Sequence, residues 1–273
     1  MKKRWRWIVG IVAGLAAVRA AMVAIVRPSN TRDWTTDQKT LPSATFDGPL
    51  VTIHNIRNFQ YESVDRYTPA WYDKTFDLSK LESAWFVVEP FGGPLTAHTF
   101  VSFGFGGNDF VAISVEIRKE KGETFSPVKG LLRQYEVMYV VGDERDLIKL
   151  RSNYRKDQVY LYPMRTTRER MQKMFVSMLK RANDLAQHPE FYNTLTNTCT
   201  TNLVRHVNAL MPGRIPLHPA VIFPGYSDRL AYKLGLIDTR LPFEKARESF
   251  HINSRAEQFA DDPEFSLRIR GWG

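Results

Sequence analysis

The 273-residue chain has one cysteine, Cys199, which excludes an internal disulfide. No cysteine–histidine cluster with zinc spacing can be drawn, so neither a metal nor a cofactor is expected. A phosphate-binding glycine loop is missing, because Gly104-Phe-Gly-Gly lacks the Lys-Ser/Thr ending. So is a Gly-x-Ser-x-Gly elbow, which argues against a serine hydrolase of that type. Repeats and low-complexity tracts are absent. Acidic residues are wanting from residues 1–27, which hold Lys2, Lys3, Arg4, Arg6, Arg19 and Arg27. Those six cations leave only +3 of the formal +9 for the rest of the chain. So small an excess describes a solvated surface, and nucleic acid is not expected as a partner.

The basic head precedes an apolar run from Trp7 to Val18, interrupted by Arg19 and resumed from Ala20 to Val26. Cations before an apolar stretch are the layout of a signal peptide or signal anchor. The expectation is a single-pass inner-membrane anchor over 1–27, with the remaining chain facing the periplasm. Residues 28–50 lack apolar periodicity and read as a linker. A globular domain is expected over 51–240, with a C-terminal extension over 241–273.

Hydrophobic patterning predicts an α+β domain. Strands are expected at 51–56, 83–88, 97–103, 110–118, 135–141 and 157–163, forming an antiparallel meander, with 146–150 a weaker strand segment. Residues 69–73 read as an aromatic-packing loop. Thr166-Thr-Arg-Glu169 has the capping-box pattern, and the helix after it presents Met171, Met174, Phe175, Met178, Leu179, Ala182 and Leu185 on one face. A second helix starts at Thr198 or Cys199 and ends before Pro212-Gly213. A short one follows over 227–234.

Cys199 therefore opens a helix, where the positive end of the backbone dipole favours thiolate. A thiolate nucleophile requires a base and a group that orients the base. Of the six histidines, His206 lies two turns along the same helix, and His188 sits at a helix end. His54, His218 and His251 have no distinguishing neighbours. His98 opens a strand just after a Gly-Gly-Pro turn, and is the expected base. Alternation puts Ser114, Glu116 and Arg118 on one face of the next strand. Glu116 then has two available partners, His98 across the hairpin as orienting group or Arg118 in a structural bridge. The Cys199 backbone N–H is a candidate oxyanion donor. Asn197 and Asn202 are further donors whose capping and turn roles compete with that use, and Arg118 is a third candidate for a substrate or oxyanion contact.

Several segments together resemble one family, the periplasmic domain of Lnb-type lipoprotein N-acyltransferases. They are Asn55-Ile-Arg-Asn-Phe, Ala97-His-Thr-Phe-Val-Ser-Phe-Gly-Phe, Ser114-Val-Glu-Ile-Arg, Tyr135-Glu-Val, Asn197-Thr-Cys-Thr-Thr and Pro224-Gly-Tyr-Ser-Asp. The resemblance spans roughly 50–240. It implies a papain-like fold of permuted NlpC type, an antiparallel sheet packed on helices with the histidine strand before the cysteine helix. It implies Cys199 as nucleophile and His98 as base, acting through a thioester on acyl-lipid or lipoprotein substrates as a transferase or hydrolase. Here Thr198 stands between Asn197 and Cys199, where the family pattern joins asparagine directly to cysteine. A cell-wall peptide amidase or endopeptidase, and a non-catalytic envelope binding module, are the alternatives.

Overall fold

The computed structural model describes residues 26–271 together with Trp5, Trp7, Gly10, Ile11 and Gly14. Apart from those five positions and Val26, the apolar run read as an anchor lies outside the described residues. No helix among the described residues is long and apolar enough to cross a membrane. Two units are distinguished, Met1–Arg32 and Asp33–Gly273, and the second carries the fold.

Its centre is an eight-stranded sheet. In chain order the strands are β1 (Ser43–Asp47), β2 (Leu50–Arg57), β5 (Trp71–Asp77), β6 (Ser83–Pro90), β7 (Ala97–Gly104), β8 (Phe110–Arg118), β9 (Glu136–Gly142) and β10 (Tyr160–Pro163); β3 (Gln60–Tyr61) and β4 (Tyr67–Thr68) form a separate hairpin. The spatial order is β1-β2-β9-β8-β7-β6-β10, with β5 also on β2. Strands β6 to β9 make the expected antiparallel meander, and β2 joins β9 in parallel through Arg57 and Gly142.

The helices are α1 (Thr36–Lys39), α2 (Pro127–Leu131), α3 (Glu144–Lys149), α4 (Arg168–Gln187), α5 (Cys199–Leu210), α6 (Pro219–Ile222), α7 (Ser227–Lys233), α8 (Phe243–Ser249), α9 (Asn253–Gln258) and α10 (Phe265–Arg268). Strand alternation divides the core in two. On one face Val101, Phe103, Ile113, Val115, Tyr139 and Val141 pack beneath α4 and α5. On the other, Phe100, Ala112, Met138 and Val140 meet α3, α9 and α10.

Five expectations are corrected. The expected linker ends early: Trp34 is buried, and β1 lies within 28–50. The aromatic loop at 69–73 is largely strand β5, while 144–149 is helix because Asp143 caps it by accepting from the Arg145 N–H. Helix α4 is capped by Thr167, one residue after the expected position. The C-terminal extension is core: Ile252, Ala256, Phe265 and Ile269 are buried, and Arg270 forms a fully buried pair with Glu144.

Phe175 on α4 is fully buried, its ring 5.1–6.2 Å from those of Phe76, Phe103 and Phe105. Phe175→Ala should therefore cost about 3–5 kcal/mol, measured by urea unfolding. A loss below 1 kcal/mol would contradict this placement of the helix.

Candidate functional site

Residues His98 and Thr99 are adjacent on β7 and point to opposite sides of the sheet. The Thr99 hydroxyl is 3.0 Å from that of Thr200 on α5, so Thr99 faces the cysteine helix. His98 shares its side with Phe100, their rings stacked at 5.6 Å. The sheet thus lies between His98 and Cys199. The expected dyad is not assembled, because one residue of strand register places the histidine on the far face.

On that far face His98 does meet Glu116. His98 Nε2 is 2.7 Å from the Ser114 hydroxyl, which donates to Glu116 Oε1 at 2.9 Å, and the His98–Glu116 separation is 3.8 Å. The guanidinium of Arg151 holds the group together, donating to Glu116 at 2.8 Å and to Glu89 at 2.7 Å. A neighbouring pair, Arg57 and Asp146, is equally buried and takes a further bond from the Tyr61 hydroxyl. Arg118 is not the partner of Glu116. It stacks on Trp34 and donates to the Gln38 and Lys39 carbonyls, tying the sheet to α1.

Burial, aided by Arg151, pushes His98 down to about 3, so it is neutral in the folded protein. For Glu116, burial works to raise the pKa, but the pull of the Arg151 guanidinium, joined by Arg57 and Arg155, prevails and holds it well below the carboxylate range. The geometry makes this a structural ion network with a neutral histidine at its edge.

Cys199 is buried at the first position of α5. Thr198 caps the helix reciprocally with Thr201. Asn197 and Asn202 bond to each other at 2.9 Å, with Asn202 also on the Thr198 carbonyl and Asn197 on the Phe191 carbonyl; their amide nitrogens are therefore committed to the turn. The Cys199 sulfur is 3.7 Å from the Thr200 hydroxyl. Burial, followed by the nearby Cys199, holds the Tyr192 phenol above its ordinary range. His206 is locked between the Tyr139 and Ser177 hydroxyls at 2.8 Å each, and burial lowers it to about 4.

Sequence reasoning missed the cavity on this side. Walls from β6, β7, α4 to α7 and the 234–237 segment enclose about 610 Å³ of empty space, its open mouth included. The lining is apolar except for two hydroxyls, Thr200 and Ser227. Ser227 Oγ is buried and has no hydrogen-bond partner. The signal in the sequence was the apolar spacing of Leu203, Val204 and Val207, which reads equally well as plain core. Among the described residues, no group of three or more His, Cys, Asp or Glu side chains is placed to hold a metal.

The domain is of the mixed α+β class, with a histidine on a strand and a cysteine at a helix start. The family described as the Lnb N-terminal periplasmic domain matches residues 67–223, more than half of the chain, and this chain belongs to it. The match covers His98, Glu116 and Cys199 and places the domain on the periplasmic side. No curated protein and no solved structure matches the chain.

Both His98 and Glu116 have depressed pKa values, so each contributes stability that is present above its unfolded value and lost as pH falls. For His98 that loss begins at about pH 6.5 and runs toward about 3. Melting temperature should therefore fall between pH 6.5 and 4.5 in the wild type and fall less steeply in His98→Gln. Parallel curves for the two proteins would refute the burial of a neutral imidazole.

Proposed function

We propose that this domain takes the acyl chain of a lipid or lipoprotein into the cavity behind α5. The observation that carries the reading is the cavity itself: its walls are apolar, and Thr200 and Ser227 are the hydroxyl-bearing residues among them. The unpartnered Ser227 hydroxyl supports it, since a buried polar atom without a partner is rare and a ligand oxygen would satisfy it. Charged side chains are missing from the lining, which gives a peptide substrate nothing to be recognised by. Residues 1–27 act in this proposal as a membrane anchor that keeps the domain near its substrate.

A second reading, thioester chemistry at Cys199, is favoured by one observation. The sulfur neighbours Thr200, which lines the cavity, and sits at the positive end of a twelve-residue helix. Cys199 would attack an ester carbonyl, the oxyanion resting on a backbone N–H, and the thiol proton would leave with the released alcohol. The permuted papain-like description of the fold belongs to this reading. In it His98 supports the sheet and does not serve as the base.

The binding reading is tested with monomeric fatty acid or lysolipid and the full chain. Leu203→Trp, which fills the cavity, should lower affinity at least tenfold. Ser227→Ala should lower it by about three- to tenfold, the worth of about one hydrogen bond, without loss of melting temperature. Unchanged affinity in both variants would refute it. Treatment with an activated acyl ester separates the second reading: hydroxylamine-labile acyl on wild type but not on Cys199→Ala supports it, and no label removes it.

A further inference from the structure

Four loops meet at the end of the sheet where β7 and α5 begin. They are residues 91–96, 124–133, 193–198 and 217–226, the second and fourth each carrying a short helix, α2 and α6. Contacts join them in a row. The Gly225 N–H donates to the Leu95 carbonyl at 3.1 Å, and a Cβ at 225 would run into the Pro94 carbonyl oxygen, so only glycine allows this approach. The Phe91 and Phe125 rings lie 6.3 Å apart, and the Thr194 hydroxyl donates to the Pro127 carbonyl at 2.7 Å.

This end gathers nine of the fourteen exposed large apolar side chains between residues 26 and 271, Leu95, Phe125, Val128, Leu195, Leu217 and Phe223 among them. Leu217 is 97% exposed. A concentration of that kind marks a surface made to be covered. The four loops contain Lys129 and Arg133 and no acidic residue. Bulky apolar side chains on separate loop tips, with Lys129 and Arg133 within them and Glu123 just outside, match a bilayer: the tips enter the headgroup–acyl boundary and the cations meet anionic headgroups. Segment 217–227 also contributes Ala220, Val221 and Ser227 to the cavity wall, so the exposed surface and the cavity share one piece of chain.

We propose that this end of the sheet docks on the surface of a lipid bilayer and that the apolar loops surround the entrance through which an acyl chain reaches the cavity. The second half of the proposal rests on the acyl-binding reading above; the docking itself does not. The full chain is reconstituted in vesicles of phosphatidylethanolamine and phosphatidylglycerol, with and without brominated acyl chains. Wild type, Leu217→Trp, Phe223→Trp and the distant control Leu50→Trp are compared. The indole added at 217 or 223 should be quenched by bromolipid at least about twice as strongly as the one added at 50. Adding Lys129→Glu and Arg133→Glu should weaken that excess. Equal quenching at all three positions, or an excess only when solubilised envelope proteins are supplied, overturns docking on lipid. Lysolipid binding by the same variants without vesicles separates the two claims. Quenching without lysolipid binding leaves the docking standing and removes the entrance, whereas binding without quenching overturns the docking.

Discussion

Successive residues of a β-strand point to opposite sides, and on β7 that constraint assigns the chemistry of the whole domain. Thr99 goes toward the cysteine helix, and His98 goes toward the ion network. The registers β6–β7 and β7–β8 fix this choice, because a slip by one residue would turn Phe100 and Val101 out of their respective cores. Every polar group near the start of β7 is thereby sorted. Imidazole, carboxylates and guanidinium groups lie on one side, and the thiol, the threonine hydroxyls and the cavity lie on the other.

Each side is stable for a different reason. The ion network buries Arg57 and Arg151 with Asp146, Glu89 and Glu116, so the charges nearly cancel and each carboxylate accepts a bond from a guanidinium. Such a network costs desolvation, which close geometry offsets, and its removal piecemeal would leave a buried charge alone. What it achieves here is cross-linking: Arg57 is on β2, Glu89 on β6, Glu116 on β8, and Arg151 follows α3. The opposite side relies on apolar packing beneath α4, and it leaves space between α5, α6 and α7.

Much of the fold was legible in the sequence because its strong signals were periodic. Strands β6 to β9 and helices α4 and α5 announced themselves by alternation or by a 3.6-residue stripe. The segments misread were those whose signal depends on distant partners. Trp34 reads as linker until Arg118 stacks on it, and β5 reads as a loop until β2 supplies its hydrogen bonds. Residues 146–150 carry Leu147, Ile148 and Leu150 and read as a weak strand, yet Asp143 caps 144–149 into a helix. For the site, the hairpin offered Glu116 either His98 or Arg118, and the structure brings His98 to within 3.8 Å of it. The separation of His98 from Cys199 was not legible, because which face a helix covers is settled by loops and packing and not by the helix's own stripe. Arg151, the cation that organises the network, lies 35 residues beyond Glu116 and gave no local sign.

The separation of His98 from the thiol is most directly measured by the pH dependence of Cys199 alkylation with a small neutral reagent, compared between wild type and His98→Gln. With the sheet between the two groups, both proteins should show the same profile and the same limiting rate. A profile in which an acidic limb is lost in His98→Gln, or a rate falling by tenfold or more, would put the imidazole in contact with the sulfur and contradict the account.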